Sequence, residues 1–316
     1  MPCCRGFAGE IGSKSALASR YGWMVSEYRE DLTPKKSGPE GGLFSDDAVQ
    51  GMHMGDEGIA EKDRAYQACA ELRFAEGLRR RSNEVRAEAA VQEAVATSWL
   101  EGMRVNADAV RATAMGLVPR NRADDLDLPL AGAMGAWRAM WRVQDLLPDL
   151  NARPAPGAPP MSAPRTPMLG LLASLNKDAC SFLVAAGALD PSVVALPQRT
   201  DVVHEVARLA APGGRAADQG DAIDRAGTML RLLVTEPVFA AANVTTAFAA
   251  VKWFLATSGV EPTGVSVLSR WGVEAGPMFP SRLREDPTGV AAQSLIRGCA
   301  EGQGIVRAVQ AGKLPG

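Results

Sequence analysis

Residues 221–258 read DAIDRAGTMLRLLVTEPVFAAANVTTAFAAVKWFLATS, which is two helical patterns joined by a short loop. From Asp221 to about Val234, Ile223, Ala226, Leu230 and Leu233 recur at three and four residues and line one helical face. From Asn243 to Ser258 the same spacing returns in Val244, Ala247, Phe248, Val251, Phe254 and Leu255. Asn243 is the expected N-cap of this second helix and Gly259 its C′ residue. No alternation of period two competes, so the stretch belongs to an all-α protein.

Working outward, the helical signal continues in both directions. Glu61–Arg81 contains no proline and is dense in Ala, Glu, Arg and Leu, which predicts a helix. A second is expected from Asn83 to about Glu101, capped by Ser82, with Val91, Val95 and Trp99 facing the core. Asn106 is placed to cap a third helix that Gly116 ends. Asp127–Leu150 carries Trp137 and Trp141 at i, i+4, a buried-helix pattern. Six prolines in residues 151–167 exclude helix there and mark a surface linker. Helical pattern resumes over Met168–Leu189, and Asp286-Pro287 opens a last helix carrying Leu295, Cys299, Gly302, Val306 and Val309. Val265-Ser266-Val267 is the one short run with strand character. The expected organisation is an irregular segment over 1–58, N-terminal helices over 59–150, the linker 151–167 and a helical core over 168–316.

Composition excludes several classes. Basic and acidic residues balance at 34 against 36, a net charge of −2, so no global positive field draws the chain to nucleic acid or an anionic membrane. No charge-free apolar run of membrane-spanning length occurs, and the N-terminus lacks a secretory pattern, so a cytoplasmic location is expected. The five cysteines, at 3, 4, 69, 180 and 299, are an odd and scattered set that reads as reduced thiols. The only histidines are His53 and His204, too few for a zinc site or a Ser-His-Asp triad; no metal is expected.

Two segments together bring a family into view. Thr97-Ser98-Trp99-Leu100-Glu101-Gly102 resembles the inhibitory-helix motif [S/T]xxxE[G/N] of Fic proteins. The stretch Glu236 to Phe248 resembles the family's catalytic loop, HPFx[D/E]GNGRxxR, when anchored on Phe239 and Asn243. The likeness spans roughly residues 60–312 and is similar to degenerate Fic-like chains of high-G+C, actinobacterial type. It implies a Fic-like (Fido) helical bundle with an N-terminal helical extension.

The resemblance also implies what is missing. The family's general base falls at Pro237, or at Glu236 with a one-residue slip, and neither is an imidazole. Its metal-holding acid is Ala241, which offers no oxygen to a hard cation. Its Gly-Asn-Gly turn is Ala242-Asn243-Val244, and its two arginines are Thr245 and Phe248. Asn243 alone is retained as a nucleotide contact, and with Phe248 in place of the second arginine Glu101 has no partner; it is expected in solvent or capping the next turn. The resemblance therefore implies a catalytically silent protein without a cofactor, acting by binding a protein partner. The alternative is a protein adenylyltransferase, or a related nucleotidyl or phosphotransferase, using non-standard residues, with Glu236 as substitute base.

Other candidates read as structure. His204 is an ordinary surface or core-edge histidine, and Arg225 and Arg231 face solvent on their helix. Gly213-Gly214-Arg215 lacks the strand and lysine of a phosphate loop and reads as a turn. Arg79-Arg80-Arg81 lies among Glu71, Glu76, Glu84 and Glu88 and reads as a solvated face.

Overall fold

The computed structural model describes residues 47–116, 126–150, 166–211 and 220–313, with side chains from Ala60 onward. Among them are eleven α-helices and no strand, so the protein is all-α. In chain order they are α1 Asp47–Arg73, α2 Leu78–Leu100, α3 Ala107–Ala114, α4 Leu128–Leu146, α5 Met168–Ala185 and α6 Thr200–Ala210. After these come α7 Ala222–Thr235, α8 Asn243–Thr257, α9 Arg270–Ala275, α10 Phe279–Glu285 and α11 Pro287–Gln310. Residues 50–316 form one unit.

Helix α8 is the centre of the packing, touching α2, α4, α5 and α7. Every residue from Thr245 to Ala256 is buried, so α8 is enclosed on all sides rather than amphipathic. Phe248 is fully buried and stacks on Phe279 with ring centroids 6.0 Å apart, while Trp271 meets Phe279 edge-on. The faces expected for α7 and α11 are the buried ones, and α11 packs along α7 and α2.

The caps follow local chemistry. Asn106 Oδ1 accepts from the Asp108 amide at 2.6 Å, and Asp221 and Asp224 form a reciprocal capping box. Gly116 and Gly259 both stand at positive φ just past their helices.

Several expectations are corrected. Helix α1 begins at Asp47, inside the segment expected to be irregular, and ends at Arg73 instead of running to Arg81. At the break over 74–77, Gly77 is pressed against α11, where a Cβ would lie 2.5 Å from Val306 Cγ1. A second kink, at Arg81, precedes Ser82. Trp99 does not face the core; it is 42% exposed, donates to the Val105 carbonyl at 3.1 Å and carries Arg104 over its ring. Trp141 is also exposed at the edge of its stack on Trp137, whereas Trp253 is buried.

The run Val265–Val267 is buried but forms no strand, because side chains satisfy the backbone around it. Glu93, fully buried, accepts from the Leu268 and Ser269 amides at 2.7 and 2.9 Å and lies 3.5 Å from Lys252 Nζ. Lys252 donates to the Ser266 carbonyl, and Glu261 accepts from Ser266 Oγ at 2.8 Å and the Thr263 amide at 3.0 Å. Arg86 and Gln144 hold the Thr263 and Gly264 carbonyls at 2.9 and 2.6 Å. Buried charges of this kind persist because each is paired or hydrogen-bonded.

Helix α5 is long and apolar enough by composition to cross a membrane, and half of it is buried inside the protein. Its Asp178 pairs with Arg138 and Arg142 of α4. Cys69, Cys180 and Cys299 are free and buried, with Cys69 and Cys299 sulfurs 3.7 Å apart. Cys3, Cys4 and residues 213–215 lie outside the described residues, as do 151–165 of the proline-rich segment.

Candidate functional site

The loop between α7 and α8 is held by backbone groups and amides, with few charges. Glu236 caps α7 through its amide, and its carboxylate pairs with Arg199 at 2.8 Å. Pro237 is exposed, and the Val238 carbonyl accepts from the Gln198 amide at 2.7 Å. Asn243 then closes the loop on itself: its Oδ1 accepts from the Phe239 amide at 2.8 Å and its Nδ2 donates to the Phe239 carbonyl at 2.9 Å.

With both halves of its carboxamide engaged, Asn243 is not the N-cap. That position falls to Ala242, which has φ 57° and ψ 35° and makes no side-chain cap. Left-handed backbone is costly for a residue with a Cβ, so the surroundings must enforce it. Buried Asn176 on α5 is one such constraint. It donates to the Ala241 carbonyl at 2.9 Å and to Thr246 Oγ1 at 3.3 Å, and accepts from the amide of Ala195, also at φ 57°. Nothing in the residue types of the loop announces Asn176. Its only signal is a polar residue four positions after Leu172 on an apolar face.

Without a side-chain N-cap, the first turn of α8 receives a carboxylate from far away. Glu101 Oε1 accepts from the Thr245 amide at 3.0 Å, across 144 residues of sequence. The expectation of a solvated or locally capping Glu101 is thereby corrected. A negative group at a helix N-terminus satisfies an orphan amide and complements the helix dipole. Glu101 is a half-buried residue whose carboxyl has lost its solvent. Loss of solvent pushes its pKa up to about 7, against the opposing pull of bonds from Thr245 and the Val244 amide. The residue keeps an exposed edge, while its carboxyl turns inward onto the first turn of α8. Burial dominates the shift of the neighbouring Cys180 thiol too, which rises to about 12 with Glu101 as a lesser contributor.

The rest of the Thr97–Gly102 motif has local work. Thr97 is buried and donates to the Glu93 carbonyl of its own helix at 2.9 Å. Gly102, at φ 79°, is the C′ residue of α2: its amide bonds the Trp99 carbonyl at 3.0 Å and the Met103 amide bonds Ser98 at 2.8 Å, a Schellman closure.

The fold thus brings Thr97–Gly102 and Glu236–Phe248 together at one end of α8. Ala241 is buried and apolar, Thr245 is buried, and Phe248 points into the core. Arg225, expected to face solvent, is instead half-buried, donating to the Leu209 carbonyl at 3.3 Å and lying 5.1 Å from the centroid of the Phe254 ring, whereas His204 is exposed on α6. No group of three or more His, Cys, Asp or Glu among the described residues is arranged to hold a metal ion. The amides at the start of α8 are the groups suited to an anion, and Glu101 already supplies one. No protein-family model, curated protein or solved structure matches this chain.

Proposed function

We propose that this chain is a catalytically silent Fic-fold protein of cytoplasmic location, acting by binding a protein partner rather than by transferring a nucleotide. One observation carries the reading: Glu101, the acidic residue of the inhibitory-helix-like motif, reaches the first turn of the helix that follows the loop. Two segments linked in the sequence only by the resemblance are neighbours in space, which supports the reading. The silence follows from the chemistry of the loop. A general base must reach a hydroxyl proton, and Pro237 has no titratable group. Ala241 cannot bind a cation, and neither Thr245 nor Phe248 can carry charge to a phosphate.

The test is incorporation of labelled nucleotide from ATP with Mg²⁺ into the protein itself and into a cell extract. Both the parent and Glu101→Gly are expected to incorporate nothing, because removing the carboxylate frees an amide without restoring base, metal ligand or arginine. Incorporation by Glu101→Gly alone would replace this reading by that of an inhibited transferase using non-standard residues.

A further inference from the structure

The opposite end of the molecule's central helix carries a second feature. Helix α8 has 15 residues, a length of about 22 Å. Beyond its C-terminus, Pro262 and Thr263 form one wall of a groove of about 270 Å³ whose other walls are Arg73, Leu78, Arg79 and Leu150. Many surface arginines of this protein face a carboxylate, among them Arg64, Arg138, Arg142, Arg199 and Arg208. The guanidinium groups of Arg73 and Arg79 face none among the described residues, although both are exposed. The same groove has apolar surface, since Leu150, which lines it, is 36% exposed.

A further observation concerns the groove's inner wall. Thr263, which lines it, also holds the buried Arg86, whose Nη2 has no hydrogen-bond partner. Gln144, bonded to the next carbonyl, leaves its Oε1 unsatisfied. Buried polar atoms without partners are rare in folded proteins. The nearby acids do not neutralise the exposed pair. Glu261 is occupied by Thr263 and Ser266, Glu71 is bonded to Gln67, and Asp149 and Glu76 are the remaining acidic neighbours in sequence.

We propose that this groove binds a short acidic segment of a partner polypeptide, its carboxylates on Arg73 and Arg79 and an apolar side chain against Leu78 and Leu150. Arginine presents a planar fork matched to carboxylates, and a lining that combines two such forks with leucines favours a mixed acidic and apolar ligand over a bare polyanion. The basic run beginning at Arg79 then has a role beyond solvation. The inference does not depend on the family resemblance, since the groove is separate from the loop.

The test uses the full chain and a fluorescein-labelled peptide alternating glutamate and leucine, followed by anisotropy. Binding that weakens with salt is expected. Arg73→Glu with Arg79→Glu should lower affinity at least ~tenfold, the scale of one charge-assisted bond. Arg73→Gln with Arg79→Gln, which keeps the alkyl stems, should act in the same direction with an unchanged melting temperature. Arg282→Glu with Arg284→Glu, on α10, should leave binding intact. Absence of peptide binding, binding indifferent to the Gln pair, or stronger competition by a single-stranded oligonucleotide would each overturn the proposal.

Discussion

The two ends of α8 are built on opposite principles. At the N-terminal end, where the resemblance places catalysis, the loop is held by alanines, an asparagine and main-chain groups, with Glu101 as the one carboxylate on the helix amides. At the C-terminal end, Glu93, Lys252, Glu261 and Arg86 are all buried around the turn through residues 259–269. Dense charge in this protein therefore marks a structural clamp, and the loop with the catalytic outline is the charge-poor end. Residue type alone would have assigned the two ends the other way round.

The sharpest way to break that comparison is to attack the clamp. Glu93→Ala strands the Lys252 ammonium and two buried amides, and losing one partner of a buried pair costs about 3–5 kcal/mol. Equilibrium denaturation should show this loss; a variant as stable as the parent would mean the charges are incidental.

At the other end the effect depends on pH. Folding raises the Glu101 carboxyl to about 7 from its ordinary 4.5, so between those values the folded protein holds a proton that the unfolded chain has released. Its contribution to stability is thus full below about pH 4.5 and is lost as pH rises through about 7. Glu101→Gln should remove this component and flatten the dependence, with a variant-minus-parent difference between pH 5 and 8 of about 1–3 kcal/mol. Parallel pH curves for the two proteins would show that the carboxyl is not held as described.

A smaller effect is expected where the motif is purely structural. Gly102→Ala puts a Cβ at φ 79°, with nothing within 4 Å to obstruct it, so the cost is conformational, about 1 kcal/mol. A thermal melt of this variant should fall by a few degrees, with the circular dichroism spectrum unchanged.

What the sequence revealed follows the range of the interaction. The cap at Asn106 closes within two residues, so local reading finds it. The α1–α2 break does not show in the sequence, because Phe74-Ala75-Glu76-Gly77 lacks proline, and the close approach of Gly77 to Val306 involves a distant helix. Nothing in the residue types marks Lys252 and Glu93 as a buried pair, since burial of each depends on the other across 159 residues. Asn243 reads as the N-cap of α8, but its carboxamide reaches back to Phe239 and the cap position falls to Ala242. The left-handed Ala242 carries no signal in its residue type. The apolar registers of α7 and α11 were legible throughout, because burial on one face is what sets their spacing.

On the proposed reading, the charge-poor end of α8 has no capacity for nucleoside triphosphate. Thr245 and Phe248 stand where the family resemblance implies phosphate-binding arginines, and each lost charge-assisted bond removes about 1.5–3 kcal/mol. The direct measurement is the melting temperature of the full chain with and without millimolar ATP and Mg²⁺. No shift is predicted; a clear ligand-dependent rise, abolished by substituting Asn243 or Glu236, would contradict the account.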